Sequence, residues 1–200
     1  MPQQSPTPTL RERRKLATRA DLVESTLQIV REDGAEAVSV ERIARESGMA
    51  RATLYAHFPD GRDAIVRAAY AELGEQLVTN TEAGIDAAKD WRAQLLAVAD
   101  AMIELAAQPH LGYFYNVAGP ALIPDGEGRG GGSGASIRII TEVLQEAMAA
   151  GQVASGTDAV ATATLLVGSL RSVGIAVASD ARAAPAMRAA FVRLCAGLRS

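Results

Sequence analysis

Apolar positions recur along this chain at helical spacing, and no useful stretch shows the strict alternation of a strand. Val23, Leu27 and Val30 mark a first helix over about 18–33, which Gly34 closes. Val40, Ile43 and Ala44 share one face of a short second helix, with Ser39 as its N-cap and Gly48 as the residue that ends it. Leu54 and Phe58, four residues apart, anchor a third helix that begins near Ala50. Phe58, Pro59, Asp60 and Gly61 spell a turn, and a fourth helix is predicted over about 62–78. Trp91, Leu95, Val98, Met102 and Leu105 mark a long amphipathic helix that Pro109 stops, followed by a short aromatic segment over 110–117. The stripe of Ile137, Ile140, Leu144 and Met148 predicts the next helix, ended by Gly151. Two more are predicted over 159–177 and 185–198, the latter with Pro185 at a tolerated first-turn position. The chain reads as all-α.

The second and third helices have the spacing of a helix-turn-helix, whose second helix enters the DNA major groove. With Leu54 and Phe58 turned inward, Arg51, Ala52, Thr53, Tyr55 and His57 fall on the outward faces. That set has no acid and is rich in groups that contact phosphates and base edges. On pattern alone, an ordinary helix pair in a bundle shares the same glycine turn.

Charge sharpens this reading only locally. The net charge is −3, which excludes a protein that coats nucleic acid generally. Residues 1–70 carry eleven Lys and Arg against ten Asp and Glu, whereas residues 71–200 carry nine against thirteen. The basic excess gathers at Arg11, Arg13, Arg14, Lys15 and Arg19. Residues 1–17 are therefore expected to be a flexible basic arm that reaches phosphates or the minor groove, a solvated charge run being the alternative.

Other chemistry is hard to assemble. Gly126 to Gly131 satisfies G-x-G-x-x-G, but no strand precedes it, and six of the nine residues over 126–134 are glycine. It reads as a flexible loop within 124–136, not a dinucleotide fingerprint. The single cysteine, Cys195, excludes an internal disulfide framework and a cysteine-rich zinc site. With His57 and His110 the only histidines, no triad or metal site forms. No catalytic residue, cofactor or metal is expected. The polar, proline-rich start has no signal-peptide core, and the apolar stretch 159–178 carries Arg171, so it reads as a buried helix, not a membrane span. A cytoplasmic protein is expected.

Certain residues carry a family resemblance. Gly34, Ala35, Glu36, Ala37, Val38, Ser39 and Val40 lead into the second helix, Ile43 and Ala44 precede Gly48, and Thr53 to Pro59 read Thr-Leu-Tyr-Ala-His-Phe-Pro. In these stretches the chain resembles the TetR/AcrR family of bacterial transcriptional regulators, with looser support from Gly151, Gly156 to Ala159, Leu165, Leu166 and Gly168. Two departures stand out: Ala50 occupies a position that often holds a capping Ser or Thr, and Gly61 looks inserted before Arg62, where the family has a basic residue.

The resemblance implies a helix-turn-helix domain over 18–70 and a ligand-binding and dimerisation domain over 71–200, with about nine helices in all. It implies DNA contacts at Ser39, Arg51, Ala52, Thr53, Tyr55, His57 and Arg62, the last as a phosphate clamp. Trp91, Met102, Tyr113, Phe114 and Val117 are expected to line an effector cavity, though packing between helices is the plain alternative for any one of them. No charged anchor stands out, so an apolar or weakly polar effector is expected. Leu166, Leu170, Val173, Phe191 and Leu194 are expected at a four-helix homodimer contact. The expected function is a homodimeric repressor released from a palindromic double-stranded operator by a small molecule. A helical carrier of lipid or another hydrophobe, and a DNA-organising protein with no ligand, are the alternatives.

Overall fold

The computed structural model describes residues 9–122 and 131–198; the predicted glycine-rich loop falls largely in 123–130, outside them. Nine α-helices and no β-strand are present among the described residues. Two compact units divide the chain, Met1–Ala69 and Tyr70–Ser200.

The first unit holds α1 (Leu10–Asp33), α2 (Val40–Ser47), α3 (Arg51–His57) and the start of α4 (Arg62–Asp86). Helix α1 starts eight residues earlier than its apolar stripe suggests. The Thr9 hydroxyl accepts the Glu12 N–H at 3.3 Å, and the Glu12 carboxylate accepts the Thr9 N–H at 2.7 Å. This reciprocal cap satisfies two otherwise orphaned donors and lets the helix begin there. Arg11, Arg13, Arg14 and Lys15 are accordingly exposed helical residues, so the arm expected over 1–17 is helical from Leu10 onward. The core of this unit is contributed by Leu22, Leu27, Ile29 and Val30 of α1, with Ile43, Leu54, Phe58 and Ile65, all fully buried or nearly so.

The second unit runs from Tyr70 through α5 (Trp91–Ala106), α6 (Pro109–Tyr113), α7 (Gly131–Ala149), α8 (Ala159–Ser179) and α9 (Ala184–Ala196). Helix α4 extends to Asp86, past the polar run that predicted its end near residue 78. The Thr79 hydroxyl donates to the Glu75 carbonyl at 3.1 Å, so the run is accommodated inside the helix. Helix α7 likewise begins at Gly131, six residues before its apolar stripe. Between α6 and residue 122 the chain continues as a wide π turn over Phe114–Ala118 and a 3₁₀ turn over Gly119–Leu122.

Helix α8 lies at the centre, packed against α5, α6, α7 and α9. By length and composition it could cross a membrane. Here Ala163, Leu166 and Leu170 join Trp91, Leu95, Ile140, Leu144, Phe191 and Cys195 in one buried cluster, and Val173 and Val177 join Ala106 in another. Arg188 of α9 holds Asp100 of α5 through two hydrogen bonds, at 2.6 and 2.9 Å.

Candidate nucleic-acid interface and ligand cavity

Helices α2 and α3 are joined as a helix-turn-helix requires. The Ser39 hydroxyl accepts the Arg42 N–H at 3.2 Å and starts α2. Gly48, at φ 67°, occupies the left-handed position that ends it, which a side chain would strain. Ala50 begins α3 with no side-chain cap, as its lack of a hydroxyl dictates.

Leu54 and Phe58 are buried, which turns Arg51, Ala52 and Tyr55 into solvent and leaves Thr53 and His57 half-buried. Arg51 pairs with Glu41 at 3.0 Å. The ring of Tyr55 lies over Gly61, where an added Cβ would come within 3.2 Å of it. Gly61, at φ 64°, closes the turn by donating its N–H to the Phe58 carbonyl at 2.9 Å. The glycine that looks inserted in the sequence is therefore the seat of the tyrosine. His57 keeps Nδ1 buried and without a partner among the described residues, which leaves Nε2 for any outside contact. The His57 carbonyl accepts from Arg19 at 3.1 Å, and the Arg19 guanidinium sits 4.1 Å from the Phe58 ring centre. Arg19 thus fastens the C-terminal end of α3 to α1, a role the sequence did not suggest.

Arg62, expected as a phosphate clamp, has partners within the chain. Its Nε donates to the Val38 carbonyl at 2.8 Å and one terminal nitrogen to the Ala35 carbonyl at 3.1 Å. The guanidinium therefore braces the chain between α1 and α2 from the first residue of α4.

In the second unit, a cavity of about 1090 Å³ opens among α4, α5, the π turn, α7 and α8. Of the five residues expected there, Met102 and Val117 line it. Trp91 is instead buried in the helix-bundle core, with Nε1 unpartnered among the described residues and Arg92 stacked 4.5 Å from its ring centre. Tyr113 points to solvent at 54% exposure. Phe114 is buried behind the wall, edge-on to Tyr70 with ring centres 6.1 Å apart. The aromatic wall itself is Tyr70 stacked on Tyr115, 5.1 Å apart and nearly parallel at 21°. Burial raises the Tyr115 phenol to about 12, with the nearby Tyr70 adding to the rise. Burial also raises Tyr70, against the opposing pull of the Arg171 charge.

Buried Thr81 and Asn116 add polar groups to the lining. Asn116 donates to the Gly112 carbonyl at 3.0 Å while its Oδ1 presses on Gly174, where an added Cβ would sit 2.1 Å away. Arg171 also lines the cavity, although no charged anchor stands out in the sequence. Its position as the one charge in an apolar helix was the available signal. Among the described residues no group of three His, Cys, Asp or Glu gathers as a metal site would need.

The expected subunit contact is corrected too. Leu166, Leu170, Val173 and Phe191 are at most 5% exposed within the chain's own core and cannot also face a partner. Of the five, Leu194 remains outside, at 51% exposure. The outward apolar residues are Val160, Leu165 and Ile175 of α8 with Val192 and Leu194 of α9.

Comparison with known proteins agrees with this arrangement. The model of the tetR family of bacterial regulatory proteins matches residues 22–69, a span that includes both helices of the helix-turn-helix. Over that span the chain is similar to the tetR family. Among relatives, the nicotine-responsive transcriptional repressor HdnoR of Paenarthrobacter nicotinovorans is 33% identical over 75 residues, a match spanning 38% of this chain and 38% of that relative. A TetR-family transcriptional regulator from Pectobacterium atrosepticum superposes with a TM-score of 0.77 at 20% identity, over 96% of this chain and 98% of that one. The regulator FadR of Bacillus subtilis, solved in complex with stearoyl-CoA, gives a TM-score of 0.71 at 16% identity, over 88% and 96%. These two likenesses establish a TetR-type fold along nearly the whole chain. The family and these relatives are transcriptional regulators, not enzymes.

Proposed function

We propose that this protein is a homodimeric repressor that reads a palindromic operator and releases it when a small molecule fills the cavity of the second unit. The observation that carries the reading is the division of α3: Leu54 is fully buried, while Arg51, Ala52 and Tyr55 on the same two turns are exposed. Such a helix presents base-reading and phosphate-holding groups together. Arg51 and Thr53, with Ala52 between them, would face base edges. Tyr55, His57 through Nε2, and the N-terminal end of α2 at Ser39 would face phosphates. The exposed basic residues of α1 would add sequence-independent attraction.

The dimer contact in this reading is the outward face of α8 and α9, around Leu165, Ile175, Val192 and Leu194. Apolar side chains this exposed in the isolated chain are supplied with a partner by a second copy, which also sets two α3 helices at the spacing of operator half-sites. The effector would bind within the cavity and shift the protein toward a form that holds DNA less well. Action on DNA places the protein in the cytoplasm.

The test is selection of genomic fragments by the purified protein at moderate salt. Recovery of a palindromic motif, bound by a dimer, supports the reading. Fragments recovered without a shared motif favour a DNA-organising role, and no retention even at low salt favours a hydrophobe carrier.

A further inference from the structure

Arg171 is the only charged residue in α8, and it stands on the cavity wall. Among the described residues, no Asp or Glu lines that cavity, and Arg171 makes no hydrogen bond or ion pair. Other arginines of the same unit are committed: Arg138 faces Glu82 and Glu142, Arg182 faces Asp180, and Arg188 faces Asp100. The charge of Arg171 is nevertheless felt inside the site, since it opposes the rise that burial imposes on the Tyr70 phenol.

The rest of the lining sorts into two kinds. Leu77, Val98, Met102 and Leu170 give an apolar stretch, and the stacked pair of Tyr70 and Tyr115 gives a flat wall. A guanidinium offers a planar fork of donors that matches the paired oxygens of a carboxylate or a phosphate. Arg171 is itself exposed, and with no acid beside it among the described lining residues, that fork is a selective anchor for one negative head group.

We infer that the cavity takes an amphipathic anion, an apolar body bearing one carboxylate or phosphate, and that Arg171 reads the charge. This rests on the reading of the cavity as the effector site. It replaces the apolar or weakly polar effector expected from sequence with a molecule that has a charged end and an apolar one.

The experiment uses the full-length protein with sodium decanoate, decyl phosphate and methyl decanoate, titrated by calorimetry and thermal shift below their micelle-forming concentrations. Wild type should bind at least one of the anions about tenfold or more tightly than the neutral ester. Arg171→Gln, checked for folding by circular dichroism, should bring that anion down to the affinity of the ester. A preference for decanoate or for decyl phosphate then assigns the head group. Equal affinity for anion and ester, no binding of either anion, or a preference that survives Arg171→Gln overturns the inference.

A second arm follows occupancy of the selected operator by fluorescence anisotropy. An anion bound in an Arg171-dependent way that leaves operator occupancy unchanged supports this inference and sinks the release mechanism. Release by the ester alone does the reverse.

Discussion

Arg51 Nη1 lies 3.0 Å from Glu41 Oε1, joining the first residue of α3 to the first turn of α2 across the helix-turn-helix. Both side chains are about 60% exposed, so the pair is worth ~0–1 kcal/mol to the fold. Its consequence is positional: the guanidinium is held at the outer edge of α3. Arg51→Ala should therefore leave thermal stability nearly unchanged. It should cost ~1–3 kcal/mol in operator affinity and relax preference at one base position. Anisotropy titrations against operators substituted one position at a time measure both effects. Glu41→Gln removes an acid from beside the expected phosphate path and should raise affinity at low salt.

Arg62 makes the opposite prediction. Its guanidinium is spent on the carbonyls of Val38 and Ala35. Arg62→Ala should lower stability by ~1–2 kcal/mol, because charged hydrogen bonds to two backbone acceptors are lost at a partly exposed site. The denaturant midpoint, compared with Arg51→Ala, checks this. A stability equal to wild type together with a loss of DNA affinity would return Arg62 to the phosphate-clamp role.

Neighbouring leucines separate the core from the proposed subunit contact. Leu165 is 75% exposed and Leu166 is 3% exposed. Leu165→Glu should give a folded monomer by light scattering. Leu166→Ala should keep the dimer while costing ~2–5 kcal/mol of stability through the cavity it leaves. A stable Leu165→Glu dimer would rule out this face of α8.

Burial makes two groups reporters of the folded state. The Cys195 thiol is raised to about 11 and the Tyr115 phenol to about 12. Each folded value lies above that of the unfolded chain, so the folded state keeps a proton that the unfolded chain gives up. Their contribution is fully present at neutral pH and is lost between about 9 and 11 for Cys195 and between 10 and 12 for Tyr115. Iodoacetamide at neutral pH should modify Cys195 slowly in the native protein and quickly in denaturant. Alkylation at the same rate in both conditions would place the thiol at the surface.

The helix-turn-helix was legible because its signals are local. A cap, a left-handed glycine and two inward anchors four residues apart leave little freedom within a span of twenty residues. The start of α1 was legible in principle, since Thr9 and Glu12 spell a capping box, but the proline-rich run before it reads as an arm. Helix α8 resisted for a different reason. Leu165 and Leu166 are adjacent, both faces of the helix are small or apolar, and periodicity cannot say which face meets the chain's own core. The cavity resisted most, because Tyr70, Thr81, Tyr115, Asn116 and Arg171 come from three separate segments that only the tertiary fold brings together. Aromatic clustering near residue 114 found the right neighbourhood and chose the wrong rings.

In the proposed regulator, α3 is displayed twice by a dimer and reads a two-fold operator. The most direct test of this is a footprint of the purified protein on the selected fragment, in parallel with the Arg51→Ala and Leu165→Glu variants. Wild type should protect two half-sites one helical turn apart, ~34–36 Å centre to centre. Protection should be weaker and less selective with Arg51→Ala, and absent at the same concentration with the monomeric Leu165→Glu. Protection of a single half-site by wild type, or an unchanged footprint from both variants, would mean that α3 does not read DNA in this paired way.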